Sequence, residues 1–214
     1  MMTGTIQKIR RFFARKEGEF QMGFVGTLPL CKVRLLQPED IAQCEQIYQL
    51  NEPLHFPAGF YPMFAQWLRD GKVLIVVIEQ DNAVVAVGGM TADPVEGQQF
   101  VTLSFGMVHP AHQQKGLGTL LLLSRMALLR QNATPAQVHI TTVGGSETFY
   151  GRFGFAYQDA RQATPDYLQK SYAVKLSTAD IDKCAFVLGH YTWIHPDFYT
   201  TRLPGYHSTG YSSA

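Results

Sequence analysis

Cysteine is scarce in this chain: Cys31, Cys44 and Cys184 are widely separated and fit no metal-ligand spacing. That count excludes a disulfide-stapled scaffold and a Cys-rich zinc module, and it predicts a reducing, cytoplasmic compartment without a bound metal. Charge is scarce too, at 16% Asp, Glu, Lys and Arg with a formal net charge of +1. A polyanion partner ordinarily leaves a basic excess, so nucleic acid is not expected, and any anion site has to be local. A long hydrophobic run is missing as well. The most apolar stretch, residues 120–129, is interrupted by Arg125 and falls short of the ~20 residues that cross a bilayer. The sequence therefore predicts no integral membrane segment and no secretory signal.

What is present suits a globular protein: 46% of the 214 residues are apolar, enough for a substantial core in one domain with decorated ends. The first sixteen residues hold Lys8, Arg10, Arg11, Arg15 and Lys16 and no acid, with Ile6, Ile9, Phe12 and Phe13 near one helical face. This pattern predicts a basic amphipathic helix, either for a membrane surface or targeting, or packed on the domain. A strand at 32–36 leads through Gln37, Pro38, Glu39 and Asp40 into a helix at 41–50, since Pro and acids suit a helix start. After an aromatic loop at 51–60 comes a helix at 61–69, stopped by Asp70 and Gly71. His55, Phe56, Phe60 and Tyr61 either line a substrate pocket or pack that loop on the core.

The β-branched runs 73–79 and 83–91, separated by Gln80, Asp81 and Asn82, predict an antiparallel hairpin. A loop at 92–98, a strand at 99–108, a helix at 116–131, a strand at 137–142, a short helix at 146–153 and strands near 155–158 and 172–176 follow. A meander that turns into alternating helices and strands implies one mixed sheet covered by helices. No internal repeat or long linker divides it. Residues 181–188 read as helical, and the tail beyond them, rich in Tyr, His, Gly, Pro and Ser, reads more as loop than core.

The chain is organised around residues 103–130. An apolar strand-like run meets a polar loop that passes through Gln113, Gln114, Lys115, Gly116, Leu117 and Gly118 into a Leu-rich helical pattern. Amides at a helix N-terminus lack intrahelical partners and carry the positive end of the macrodipole, and glycines let an anion come close. The glycines alone do not say which anion. A Rossmann fingerprint needs Gly or Ala where Leu121 stands, and a Walker loop needs Gly-Lys-Ser/Thr after its spacers; neither is here.

The pattern that is here, Gln113, Gly116 and Gly118 as Gln-x-x-Gly-x-Gly behind Val108, His109 and Pro110, is followed by Phe149, Tyr150, Gly151, Arg152, Phe153, Gly154 and Phe155. Together these resemble the GCN5-related N-acetyltransferase (GNAT) family, whose members carry an Arg/Gln-x-x-Gly-x-Gly/Ala loop and a later Phe-Tyr-x-x-x-Gly-Phe segment. The resemblance covers residues 33–176 in motifs and strand order. It implies an α/β (α+β) fold with a single mixed, mostly antiparallel twisted sheet and helices on both faces. The domain would span 32–177, with extensions at 1–31 and 178–214, the latter packed on it.

The resemblance further implies acetyl-CoA as acyl donor, with its pyrophosphate on the amides of Gln113, Gln114, Lys115, Gly116, Leu117, Gly118 and Thr119. The pantetheine arm would pair with the backbone of 105–108 like a further strand, where two parallel strands splay apart. A backbone N–H near Met107 or Val108 would polarise the thioester carbonyl. Lys115 either adds charge to a phosphate or is a solvated loop lysine. Tyr150 is placed to protonate the departing thiolate, or is a core tyrosine beside Phe149 and Phe153. The reaction implied is direct attack of a primary amine on the acetyl thioester.

The chain also departs from that pattern. Val143 and Ser146 stand where many members carry Asn and Ala, and the strand at 99–108 contains no carboxylate to act as base. Glu96, Asp93, His109, His55 or a water relay are the candidates for that role. The acceptor is open among a small-molecule amine, an antibiotic, a peptide N-terminus and a protein lysine, and a homodimer stays open as well. Two other classes remain: a non-catalytic CoA-binding or regulatory module of the same fold, and a nucleotide-binding domain of another fold.

Overall fold

Continuous apolar runs in β2 (Leu74–Gln80) and β3 (Ala83–Val95), buried on both faces, build with β1 (Lys32–Leu35) an antiparallel meander, which β4 (Gln98–Val108) continues. The computed structural model describes residues 17–204 apart from 23–25, 27, 53, 57–58, 96–97, 132–135, 143–144 and 166. The basic segment 1–16, Glu96, Val143 and the tail from 205 lie outside the described residues, as does the side chain of Asp93.

β4 pairs in parallel with β5 (Ala136–Thr142), and β7 (Tyr167–Leu176) and β6 (Ala156–Thr164) close that side antiparallel. At the far edge β8 (Trp193–Ile194) lies parallel to β1. The sheet order is β6-β7-β5-β4-β3-β2-β1-β8, the mixed, mostly antiparallel sheet expected from the resemblance.

Helices cover both faces. On one, α1 (Ile41–Asn51) and α2 (Tyr61–Asp70) bury Cys44, Ile47, Tyr48, Phe64 and Leu68 against Ile75, Val77, Val87 and Met107. On the other, α3 (Leu117–Leu128) is apolar around its circumference, because it is sandwiched between the sheet and α5 (Thr178–Tyr191). A short α4 (Glu147–Gly151) sits between β5 and β6. No helix among the described residues is long and apolar enough to cross a membrane.

Three sequence expectations need correction. The loop expected at 92–98 is mostly ladder: Ala92, Asp93, Pro94 and Val95 pair with Val101, Phe100, Gln99 and Gln98. Their polar and Pro composition hid a hairpin whose register is set by the strands beneath it. The strands expected at 155–158 and 172–176 are longer, because β6 is an edge strand whose polar side chains carry no hydrophobic period. The helix expected at 181–188 is present and longer, at Thr178–Tyr191, and the tail beyond it, read as loop, instead supplies β8 and a 3-10 turn at Pro196–Thr200 that buries Phe198.

The N-terminal side is stitched on as well. Phe20 N donates to Lys175 O, and Gln21 N donates to Phe153 O. Phe20 is buried, with its ring 6.3 Å from that of Phe153.

Candidate functional site

The site begins with a bulge. Val87 faces Met107 and Gly89 faces Ser104, so Phe105 and Gly106 on β4 oppose Gly88 alone on β3. Phe105 adopts φ 44°, a left-handed conformation that a bulky side chain rarely takes. The bulge turns β4 away from its neighbour. Parallel pairing with β5 ends at Leu103 and Ile140; beyond it Ser104 to Val108 pair only with β3, and Thr141 and Thr142 only with β7, among the described residues. A strand edge outside the β5 ladder therefore faces a cleft of about 660 Å³, with Val108 O at its end taken up by the side chains of Asn51 and Gln113.

At one end of the cleft lies the loop. Gln114 (φ 60°) and Gly116 (φ 86°) are left-handed, and Gly116 is the N-cap of α3. No side chain caps this helix, and its first intrahelical bond runs from Leu120 N to Gly116 O. The amides of Leu117, Gly118 and Thr119 thus have no intrahelical acceptor and point with the positive helix end toward the cleft. A Cβ on Gly118 would meet Phe149 at 3.7 Å and Val108 at 4.0 Å, which is ordinary contact. The fold itself has room for a methyl there.

Met107, Val108, Gln113, Gln114, Gly116, Gly118, Thr119 and Tyr150 all line the cleft, while Lys115 and Leu117 do not line it with their side chains. Lys115 Nζ donates instead to Ala111 O at 2.9 Å, and Leu117 is buried in the core. Gln113 acts as a brace: its Nε2 donates to Asn51 Oδ1 and to Val108 O, both at 3.2 Å. His109 lies outside the lining, and its Nδ1 accepts from Ala111 N. Of the aromatic loop, His55 and Phe56 line the cleft. Phe60 instead packs on Tyr167, and Tyr61 on Tyr48.

Sequence reasoning passed over Arg125 and Thr142 and took Asn51 only as the start of the loop that would build the acceptor pocket. Asn51 is buried, and its Nδ2 donates to Ile47 O and Val108 O, tying the end of α1 to the end of β4. Thr142 is 5% exposed and lines the cleft, and its Oγ1 has no hydrogen-bond partner. Such a buried orphan hydroxyl is costly unless a ligand satisfies it. Arg125 is 2% exposed on α3 and lines the cleft, as Tyr150 does; its Nε faces Leu121 O at 3.3 Å and its Nη1 faces Gly89 O at 3.4 Å. Burial holds its pKa below the usual arginine value. The signal in the sequence was Arg125 itself, a lone cation in a Leu-rich helix.

Thiol chemistry does not compete at this site. Cys44 and Cys184 are buried free thiols outside the cleft lining, and burial pushes both up to about 12. A thiol so raised is no nucleophile at neutral pH.

The uncapped helix start, the unpaired β4 edge and the orphan hydroxyl suit a long anionic ligand with an amide-bearing arm, the chemistry of coenzyme A. Comparison with known proteins agrees. Residues 41–155 match the model of the acetyltransferase (GNAT) family.

Solved structures share the fold. An N-acetyltransferase from Staphylococcus aureus Mu50 superposes with TM-score 0.55 at 11% identity over 68% of this chain and 97% of its own. The ribosomal-protein-S18-alanine N-acetyltransferase of Escherichia coli does so with 0.54 at 19% over 68% and 93%. The yncA protein of Salmonella typhimurium, solved with its cofactor acetyl-CoA, gives 0.52 at 17% over 68% and 93%. With the family match spanning more than half of its length, this chain belongs to the GNAT acetyltransferase family and is an N-acetyltransferase.

Proposed function

We propose that the cleft takes acetyl-CoA along the β4 edge and that a primary amine attacks the acetyl thioester directly. The observation that carries this reading is the divergence of β4 and β5 beyond Leu103 and Ile140, opposite a helix start whose amides are uncapped. In this reading the amides of Gly116 to Thr119, with Gln114 beside them, bind the pyrophosphate. The backbone of Phe105 to Val108 pairs with the pantetheine arm, and Thr142 Oγ1 bonds one of its polar groups. The Met107 or Val108 amide polarises the thioester carbonyl.

The acceptor enters beside His55 and Phe56, which line the same cleft. Among the described lining residues His55 is the group able to accept a proton from the incoming ammonium, so it takes the role left vacant by the carboxylate-free β4. Tyr150 gives its hydroxyl proton to the departing sulfur. The amide bond forms as the C–S bond breaks.

The test is thiol release from acetyl-CoA with an amine panel comprising a polyamine, an aromatic amine and an alanine-terminated peptide. Tyr150→Phe lowers turnover by about 10²-fold and leaves acetyl-CoA affinity, measured by calorimetry, within threefold or so. Equal turnover in both proteins would remove Tyr150 from the reaction. Binding of acetyl-CoA with no turnover on any amine would instead favour a CoA-binding module.

A further inference from the structure

Arg125 has no part in the reaction proposed above, yet it is one of the largest fully buried side chains of the described residues and it lines the cleft. Its contacts with Leu121 O and Gly89 O are long, and both acceptors are neutral. No ion pair among the described residues includes it, and no described residue lining the cleft is an Asp or Glu. Neutral oxygens alone offset the desolvation of a buried cation poorly.

The guanidinium is held at a defined place. A Cβ on Gly88 would lie 3.1 Å from Arg125 Cζ, and one on Gly106 would lie 2.9 Å from Nη2. It therefore rests on the bare backbone of β3 and β4 at the bulge that opens the cleft. Gly118 and Arg125 both line the cleft from α3, two turns or about 10 Å apart along the helix. The helix start and the guanidinium thus mark two points along one wall.

This order along the wall matches the order of groups in an acyl-CoA. With the pyrophosphate at the helix start and the thioester carbonyl at the Met107 or Val108 amide, the acyl group is the part that continues past Met107 toward Gly106. There it meets Arg125, with the buried side chains of Leu103 and Leu121 in the same wall. An acetyl group brings no charge to that guanidinium. An acyl group that ends in a carboxylate does, and between apolar walls the pair forms charge-assisted hydrogen bonds that water does not weaken.

We propose that the cleft also takes acyl-CoA donors whose acyl group ends in a carboxylate, with Arg125 binding that carboxylate. Malonyl and succinyl groups are the short members of the class. The inference rests on the acyl-CoA reading of the cleft given above. Transfer balances as it does for acetyl: the amine nitrogen bonds to the thioester carbon, the C–S bond breaks, and sulfur takes a proton to leave as free thiol. The ammonium nitrogen sheds two protons, one replacing the proton given to sulfur and the other passing to solvent. The terminal carboxylate stays ionised throughout.

The experiment uses the full chain with acetyl-, butyryl-, malonyl- and succinyl-CoA. Affinity is read by calorimetry, and thiol release is read with the amine of the panel that wild type turns over fastest. Butyryl-CoA matches succinyl-CoA in carbon count and lacks the charge. Wild type is expected to bind malonyl- or succinyl-CoA about tenfold or more tighter than butyryl-CoA, the scale of a hydrogen bond to a charged group, and to release thiol from it. In Arg125→Met that ratio is expected to fall to about twofold or less. Arg125→Lys, which keeps the charge without the planar fork, is expected to keep part of it.

Butyryl-CoA bound by wild type as tightly as both charged donors would overturn the inference with no variant needed, so the test stands even where a variant fails to fold. Tight binding of the charged donors without thiol release would overturn it too. An unchanged ratio in Arg125→Met would do the same, by assigning the carboxylate to another cation of the lining such as Arg152. In each of these cases acetyl-CoA still binds and the acyl-CoA reading survives. Failure of acetyl-CoA itself to bind would overturn that reading and this inference with it.

Discussion

A methyl group on Gly106 would come within 2.9 Å of Nη2 of Arg125, so the absence of a side chain at the β4 bulge is what lets the guanidinium lie flat against the sheet. Gly106→Ala is predicted to push the guanidinium off its seat. The clash is with the far end of a flexible side chain, so the cost to folding is small, about 1 kcal/mol. Turnover is expected to fall severalfold while acetyl-CoA affinity, read by calorimetry, holds. Affinity and turnover falling together would mean that the methyl blocks the cleft.

Gly118 separates fold from ligand in the opposite sense. Its φ is not left-handed, and a Cβ there makes only ordinary contacts with Phe149 and Val108. Gly118→Ala near the start of α3 should therefore hold or raise the thermal midpoint, since Ala gains about 0.4–1 kcal/mol over Gly where the conformation is compatible. If a phosphate approaches this amide closely, the same methyl weakens acetyl-CoA binding by about tenfold. Unchanged affinity would show that the phosphates lie elsewhere.

Much of the fold was legible because the evidence for it is local. The hairpin of β2 and β3 announced itself by β-branched runs around Asp81 and Asn82, both left-handed in the structure as a tight turn requires. The Gly116 and Gly118 loop was legible as a helix start for the same reason. What escaped depends on partners distant in sequence. The eighth strand, Trp193–Ile194, is extended because β1 offers it an open edge, and no pattern in two residues could say so.

The site divides in the same way. Gln113 and Tyr150 stood in motifs, but Gln113 turns out to brace the loop through Asn51 and Val108. Arg125 and Thr142 acquire meaning only when β4 and β5 part beside them.

The acid limb of stability is predicted from Glu79. Its carboxylate accepts from Lys32 Nζ at 2.7 Å and Arg34 Nε at 2.9 Å, and these bonds, Lys32 first, hold its pKa below the usual value. A group whose pKa is lower folded than unfolded contributes stability above the unfolded pKa, about 4.3 for Glu. That contribution is lost as pH falls through the folded value. Wild type should therefore melt above Glu79→Gln at neutral pH, and the gap should begin to narrow as pH falls below about 4.3 and close below the lowered folded value. Lys32 is about half exposed, so the gap is modest and shrinks in high salt. A gap that persists unchanged at pH 3 would assign the difference to packing.

Gly154 carries the last prediction. It has φ 85°, and a Cβ there would fall 2.0 Å from the carbonyl oxygen of Glu19. The backbone of residues 18–21 is held over it, with Gly18 N donating to Gly154 O at 2.9 Å and Gln21 N to Phe153 O at 3.1 Å. Two separate penalties meet in Gly154→Ala: left-handed strain of roughly 1–2 kcal/mol for an L-residue and a backbone clash that no rotamer can relieve. Together they should lower the thermal midpoint by about 4 °C or more for a chain of this size. Deleting residues 1–21 lowers stability by removing the buried Phe20 ring and its backbone bonds, but of the two penalties of the substitution it removes only the clash, so measured against the truncated parent Gly154→Ala should cost the strain term alone. An equal cost in both proteins would mean that the N-terminal segment yields to the methyl, and that Gly154 is fixed by its turn and not by the segment laid across it.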